Sequence, residues 1–509
     1  MLSIVSLFYL IVIGQISLRK QLENDELFTL NIAMLPGFGE VWAALLTGAE
    51  QLPPFFYVIT RVSLSLFGEN NLALRLPAIL GVWVMGLCLF AFVTKRSTAL
   101  YGLTAMLFPL ITGAYYYAFE ARPYGLVLGF SGLGLICWQS WADGEKRALS
   151  LAGLTLSLAA AVSCHYYAVL ILIPFACGQA ARMLARRRPD YWIWAAMAAS
   201  LTPLLFFLPL IRSARSYSAA FWARPGWSDI TGFYYFMLIS AAVPLTLILI
   251  LTFCYTAFIA TQESESDATF SFGLFRHELV AAIGFLSIPI VAVAMAMYIT
   301  RAFTYRYALP ATLGLAILLS FAFRHLIRGR DTLTIILVLL LAFSFVSRAG
   351  KTLHESARVV NSREGTVKML LSAQNTSLPV VCSDPHTFLV LSHYAPPQLR
   401  SRLAYLADPE ASMRYLGHDS LERGMLDLLK PWFRLNVQEF QPFIDSRRQF
   451  LLCGGPDHFL NWVLQDLVST GRRVELLDRS GDSLLFLVSM DKRPGTFDQG
   501  GQEIKKQSE

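Results

Sequence analysis

Asp25 and Glu26 are adjacent carboxylates, seven residues past the end of an apolar run over 1–18. A carboxylate beside an acceptor hydroxyl can act as a general base. Further along come Glu120-Ala121-Arg122-Pro123-Tyr124, directly after the aromatic run Tyr115-Tyr116-Tyr117, then His165-Tyr166-Tyr167, and finally Arg301, Arg306 and Tyr307. The stretch between His165 and Arg301 holds Arg212, Arg215, Trp222, Arg224 and Trp227. Arginine forks match phosphate oxygens bidentately and stay charged in a low-dielectric setting. Aromatic rings stack on sugar faces. Acids, arginines and aromatics together are what a site for an anionic, sugar-bearing lipid needs. The plainer readings stand beside this one: an interfacial aromatic belt, arginines touching headgroups, and a hydrogen-bonded interface histidine. A charged pair just outside a membrane helix stays in water at little cost, whereas one aimed at a cavity among helices marks a functional site.

The rest of the chain must bring these residues together. Of its 509 residues 55% are hydrophobic and 15% charged, and the mean hydropathy is +0.50. Apolar runs of about 18 residues or more cross a hydrocarbon core ~30 Å thick as helices. About eleven such segments are expected, over 1–18, 73–94, 98–118, 122–141, 148–164, 166–183, 191–211, 232–260, 279–299, 307–325 and 332–348. The first lacks a positive start and a small-residue cleavage site, so it reads as a retained helix rather than a cleaved signal. Residues 19–72 form a long loop with helical pieces lying in the interface plane. Arg61 and Arg75 are expected to orient that loop, by pairing with Glu50 or Glu69. Alternating the segments places Asp25, Glu26, Glu120, Arg122, Tyr124, His165, Arg301, Arg306 and Tyr307 on one side. The Lys/Arg totals of the two sides are similar, but the cluster of Arg182 with Arg186-Arg187-Arg188 favours the other side as cytoplasmic.

The net charge of +7 is spread over short loops between apolar segments. That pattern fits attraction to anionic lipid and argues against nucleic acid. The seven cysteines show no metal-ligand spacing. Cys382 and Cys453 fall in a polar C-terminal part, where they either pair in an oxidising compartment or stand as two free thiols. There, 378–385 and 450–456 read as buried strands ending in loops, and 458–470 as a helix. Strands at 474–477 and 483–490 flank a Ser480-Gly481-Asp482 turn. This order predicts a small α/β domain over 355–490 and a disordered tail over 491–509. The expected fold class is an α-helical polytopic membrane protein over 1–350, followed by a small α/β soluble domain.

The ordered set Asp25-Glu26, Pro53-Pro54-Phe55-Phe56-Tyr57, Phe67-Gly68-Glu69, Ala73-Leu74-Arg75-Leu76-Pro77, Glu120-Ala121-Arg122-Pro123-Tyr124, His165-Tyr166 and Arg306-Tyr307-Ala308-Leu309-Pro310 resembles the GT-C membrane glycosyltransferases. The likeness is to the bacterial branch related to protein O-mannosyltransferases and the lipid A aminoarabinose transferase. It covers roughly 1–325 and leaves the C-terminal domain outside. The resemblance implies a polyprenyl-phosphate-sugar donor and a glycolipid, glycan or protein acceptor, with the site on the periplasmic face of a bacterial inner membrane and the C-terminal domain in the periplasm. It implies Asp25 as the general base, beside Glu26, and inversion at the anomeric carbon. Arg122, Arg301 and Arg306 are the candidates for the donor phosphate, and Glu120, Tyr124, His165 and Tyr307 for the substrates. Glu120 is either a second acid orienting the acceptor or a salt-bridge partner of Arg122. With a lipid phosphate as leaving group, no metal or other cofactor is called for. One departure is Leu52, where some relatives place a basic residue before the two prolines. The competing readings are a transporter or flippase of lipid-linked saccharides, and a non-catalytic envelope assembly scaffold.

Overall fold

A computed structural model describes residues 1–217, 221–260, 273–327, 330–373, 377–455 and 461–492, without the side chains of 254–260 and 491–492. The chain divides into two compact units, Met1–Ala357 and Arg358–Glu509.

The first unit is helical. It begins with α1 (Leu2–Arg19), α2 (Asn24–Ala33), α3 (Phe38–Leu45), α4 (Phe55–Phe67), α5 (Asn71–Thr94), α6 (Ala99–Leu107) and α7 (Tyr124–Ala142). Among the described residues, eight helices are long and apolar enough to cross a membrane. The apolar pair Tyr191–Phe206 and Leu208–Tyr217, bent by 66° at the break between them, brings the count to nine if taken as one broken span. The count of eleven full spans is therefore not met. Every expected segment holds a helix, but Ala99–Ile111 and Ala311–Leu326 fall short of the ~20 residues a span requires. The apolar run over 98–118 reads as one span by composition. Pro109 and Gly113 instead break it into α6 and two short 3₁₀ pieces, Phe108–Ile111 and Gly113–Ala118. The loop over 19–72 holds three helices, α2, α3 and α4.

Small residues bring α5 and α7 together. A Cβ on Gly125 would come within 2.6 Å of the Ala78 carbonyl oxygen, and one on Gly129 within 2.6 Å of the Gly81 oxygen. Backbones this close are how helices pack where water supplies no driving force. The pairing also fixes the starts of both helices, Arg75 lying in the first turns of α5 and Arg122 just before α7. Gly125→Val should therefore wedge the two apart and cost about 1–3 kcal/mol or more, read as a lower unfolding temperature of the detergent-solubilised protein.

In the second unit a six-stranded sheet has the order β3-β2-β1-β4-β6-β5. Its strands are β1 (Val380–Cys382), β2 (Leu403–Ala407), β3 (Val437–Glu439), β4 (Gln449–Gly454), β5 (Arg472–Ser480) and β6 (Ser483–Lys492). The first four run parallel, and β6 pairs antiparallel with both β4 and β5. Strands β1, β4, β5 and β6 match the expected ones. The short β2 and β3 carry no alternation that would flag them. The helix expected over 458–470 is Trp462–Ser469, and its first expected turn lies outside the described residues. So does nearly all of the expected tail. Cys382 and Cys453 are register partners on β1 and β4, buried and free.

Candidate active site

Adjacent residues on a helix point about 100° apart, and at the start of α2 this sends two carboxylates to different tasks. Glu26 turns inward and is fully buried, as is Arg75. Its Oε1 and Oε2 accept from Arg75 Nε and Nη2, both at 2.7 Å. Oε2 also accepts from the Glu23 backbone N–H at 3.1 Å, closing a capping box, and Oε1 from the Ala121 N–H at 2.9 Å. Arg75 in turn donates to the carbonyls of Ser17, Lys20 and Gln21. This one ion pair joins the end of α1, the start of α2, the start of α5 and the loop before α7. Burial alone would raise the Glu26 carboxyl, but Arg75, Lys20 and the Ala121 N–H together hold it below the usual range.

Asp25 points the other way and keeps 38% of its side chain exposed. Its Oδ2 accepts from Arg306 Nη1, a residue 281 positions later, on a 3₁₀ turn (Tyr305–Ala308). Arg306 also donates from Nε to Thr304 Oγ1 at 3.2 Å and lies 5.6 Å from the Tyr124 ring centre. Arg122 is nearly buried just before α7, with Nε 3.8 Å from the same Asp25 oxygen. Its terminal nitrogens donate to Glu50 at 3.2 and 3.3 Å. Two carboxylates and two guanidiniums thus stand alternately in one cluster.

Around them lie Tyr124, His165 and Tyr307. The His165 ring is 4.9 Å from Tyr307 and 5.3 Å from Tyr124, and its Nδ1 accepts from the Tyr167 N–H at 3.1 Å. Burial, reinforced by Arg122 and Arg306, pushes the imidazole down to about 3, so it is neutral and no phosphate-binding cation. Glu120 is half-buried. Its carboxyl is pushed up to about 7 by burial, with Asp25 and Glu26 adding to the rise and the two arginines opposing it.

No family model matches the chain, and no curated protein matches it by sequence. Solved structures do. ArnT from Cupriavidus metallidurans in the apo state aligns with a TM-score of 0.59 at 14% identity, over 95% of this chain and 97% of that one. The same protein bound to undecaprenyl phosphate aligns at 0.56, with the same identity and coverage. The fold is of the GT-C type. A third structure, the Archaeoglobus fulgidus oligosaccharyltransferase in complex with Zn and sulfate, aligns at 0.40 and 13% identity over 88% of this chain and 68% of that one.

Within this GT-C fold, Asp25, Arg122, Arg306, Glu120, Tyr124, His165 and Tyr307 come together. Glu26 sits beside them but faces Arg75, which takes neither Glu50 nor Glu69 as its partner. The partner of Arg122 is Glu50 and not Glu120. Arg61 donates to the carbonyls of Leu35 and Pro36, bracing the turn between α2 and α3 without an acid. Arg301 caps the preceding span in a left-handed conformation, φ 56°. Its side chain is exposed and makes no ion pair among the described residues. Trp222 and Trp227 are 41% and 51% exposed, as membrane-interface residues are. Among the described residues no three His, Cys, Asp or Glu side chains converge as metal ligands would. Sequence reasoning missed Glu50 as a site residue. The signal available was that a cation as enclosed as Arg122 requires a carboxylate, and Glu50 precedes the two prolines that open α4.

Proposed function

We propose that this protein is an inverting glycosyltransferase that takes a sugar from a polyprenyl-phosphate-linked donor. The acceptor is a hydroxyl on a glycolipid, glycan or protein at the periplasmic face of a bacterial inner membrane. The observation that carries the reading is the Asp25–Arg306 pair, on a fold shared with ArnT, which was solved bound to undecaprenyl phosphate.

In this reading Asp25 Oδ2 takes the acceptor's hydroxyl proton. The oxygen attacks the anomeric carbon from the side opposite the phosphate, and the bond between that carbon and the phosphate oxygen breaks. The departing lipid phosphate keeps the electron pair, and its charge is met by Arg306. In the structure Arg306 is engaged by Asp25. The donor phosphate must therefore take Arg306 over, and doing so releases the base. Tyr124, Tyr307 and neutral His165 offer rings and polar edges for a sugar.

The test is purified protein in lipid nanodiscs with synthetic polyprenyl-phosphate sugars and a membrane-extract acceptor. The expected result is release of polyprenyl phosphate matched one-to-one by a new glycoside of opposite anomeric configuration, read by NMR. Movement of the lipid-linked sugar across a liposome with no glycosidic bond made would reject transfer in favour of transport.

A further inference from the structure

Arg122 stands between two carboxylates and divides itself unequally. Glu50, 10% exposed, takes both terminal nitrogens. Asp25 receives one 3.3 Å bond at its backbone carbonyl and the 3.8 Å approach of Nε to its side chain. That Nε is buried and has no hydrogen-bond partner among the described residues.

We infer that Glu50 is a positioning residue that keeps Arg122 from closing on the Asp25 carboxylate, so that the base stays available. The inference rests on the transferase reading above. A buried guanidinium left without a carboxylate is costly, so it pairs with whichever carboxylate remains. Without Glu50, the carboxylate best placed to take Arg122 is that of Asp25, whose Oδ2 already lies 3.8 Å from Nε, just outside hydrogen-bonding range. Asp25 would then be held by Arg122 and Arg306 at once. A donor phosphate drawing Arg306 away would no longer free it. Glu50 lies in the turn between α3 and α4, so the loop over 19–72 supplies both the base and the residue that protects it.

The experiment is a comparison of wild type, E50Q, E50D and E50Q/R122Q in the nanodisc assay. Size-exclusion profile and unfolding temperature check that each variant folds. E50Q is expected to lose about 10- to 100-fold in kcat, the scale of a misplaced catalytic group. Its KM for the donor should stay within about threefold, because Arg306 is untouched. Adding R122Q removes the group that occludes the base, so E50Q/R122Q should turn over faster than E50Q. A purely structural Glu50 would make kcat and unfolding temperature fall and recover together, so the inference requires kcat to recover in E50Q/R122Q beyond what its unfolding temperature accounts for. An E50Q kcat within about twofold of wild type, or a double variant slower than E50Q, overturns the inference. If E50Q fails to fold, E50D decides. Its shorter carboxylate loosens the pair, so a lower kcat at unchanged donor KM supports the inference and an unchanged kcat overturns it. A wild-type chain inactive with every polyprenyl-phosphate sugar overturns the transferase reading, and this inference with it.

Discussion

Asp25→Asn should remove turnover and leave the lipid phosphate bound at least as well as before. The substitution keeps shape and takes away the oxygen that accepts the proton. General-base help is typically worth ~10²–10⁴ in rate, about 3–6 kcal/mol of barrier. Activity in the nanodisc assay is expected to fall by about that factor. Binding should respond in the opposite sense. Arg306 Nη1 is engaged by the Asp25 carboxylate, so a neutral amide there leaves the guanidinium easier for a phosphate to capture. Native mass spectrometry with undecaprenyl phosphate should show occupancy equal to or above that of wild type. Near-normal turnover of the variant would reject the base. Lost binding alongside lost turnover would mean that Asp25 holds the site together and does not catalyse.

Glu26→Gln is the complementary case, with the larger effect on stability. Breaking one partner of a buried pair leaves the other charge uncompensated, at about 3–5 kcal/mol. Arg75 is fully buried and joins four elements through this carboxylate, so E26Q should unfold at clearly lower temperature by intrinsic fluorescence. The pH dependence has a definite sign. The native Glu26 carboxyl is held below its unfolded value. Its contribution is therefore present above the unfolded value of about 4.3 and is lost as pH falls through the native one. Wild type should lose stability over that acid window, and E26Q should show a flatter profile there. Equal unfolding temperatures for wild type and E26Q at pH 7 would contradict the structural role.

Asp25 and Arg306 were legible in the sequence because charges are scarce in this chain, and those beside apolar runs stand out. The division of labour between Asp25 and Glu26 was not. It depends on which way one helix turn faces, and on a capping box whose second half, Glu23, lies outside the motif. The partners of Arg75 and Arg122 were illegible for another reason. They are chosen by folding across 49 and 72 positions, and several acids in the loop over 19–72 satisfy charge alone equally well. By charge and position Arg301 and Arg306 look equivalent five residues apart, and only the resembled Arg-Tyr-x-Leu-Pro pattern favours Arg306. The left-handed turn at Arg301 sends one to the surface, while the 3₁₀ turn carries the other inward. Hydropathy located every apolar segment, but Pro109 and Gly113 break a run that composition reads as continuous.

The 281-residue separation of Asp25 from Arg306 also bears on biosynthesis. The Glu26–Arg75 ion pair itself lies within the first 75 residues and can close early as the nascent chain leaves the ribosome, with the Ala121 N–H added later. The carboxylate next to it has no guanidinium from the last turn until most of the remaining spans have been threaded through the translocon. Maturation is thus ordered by the chain itself: the Glu26–Arg75 pair can form first, and the Asp25–Arg306 pair only late in insertion.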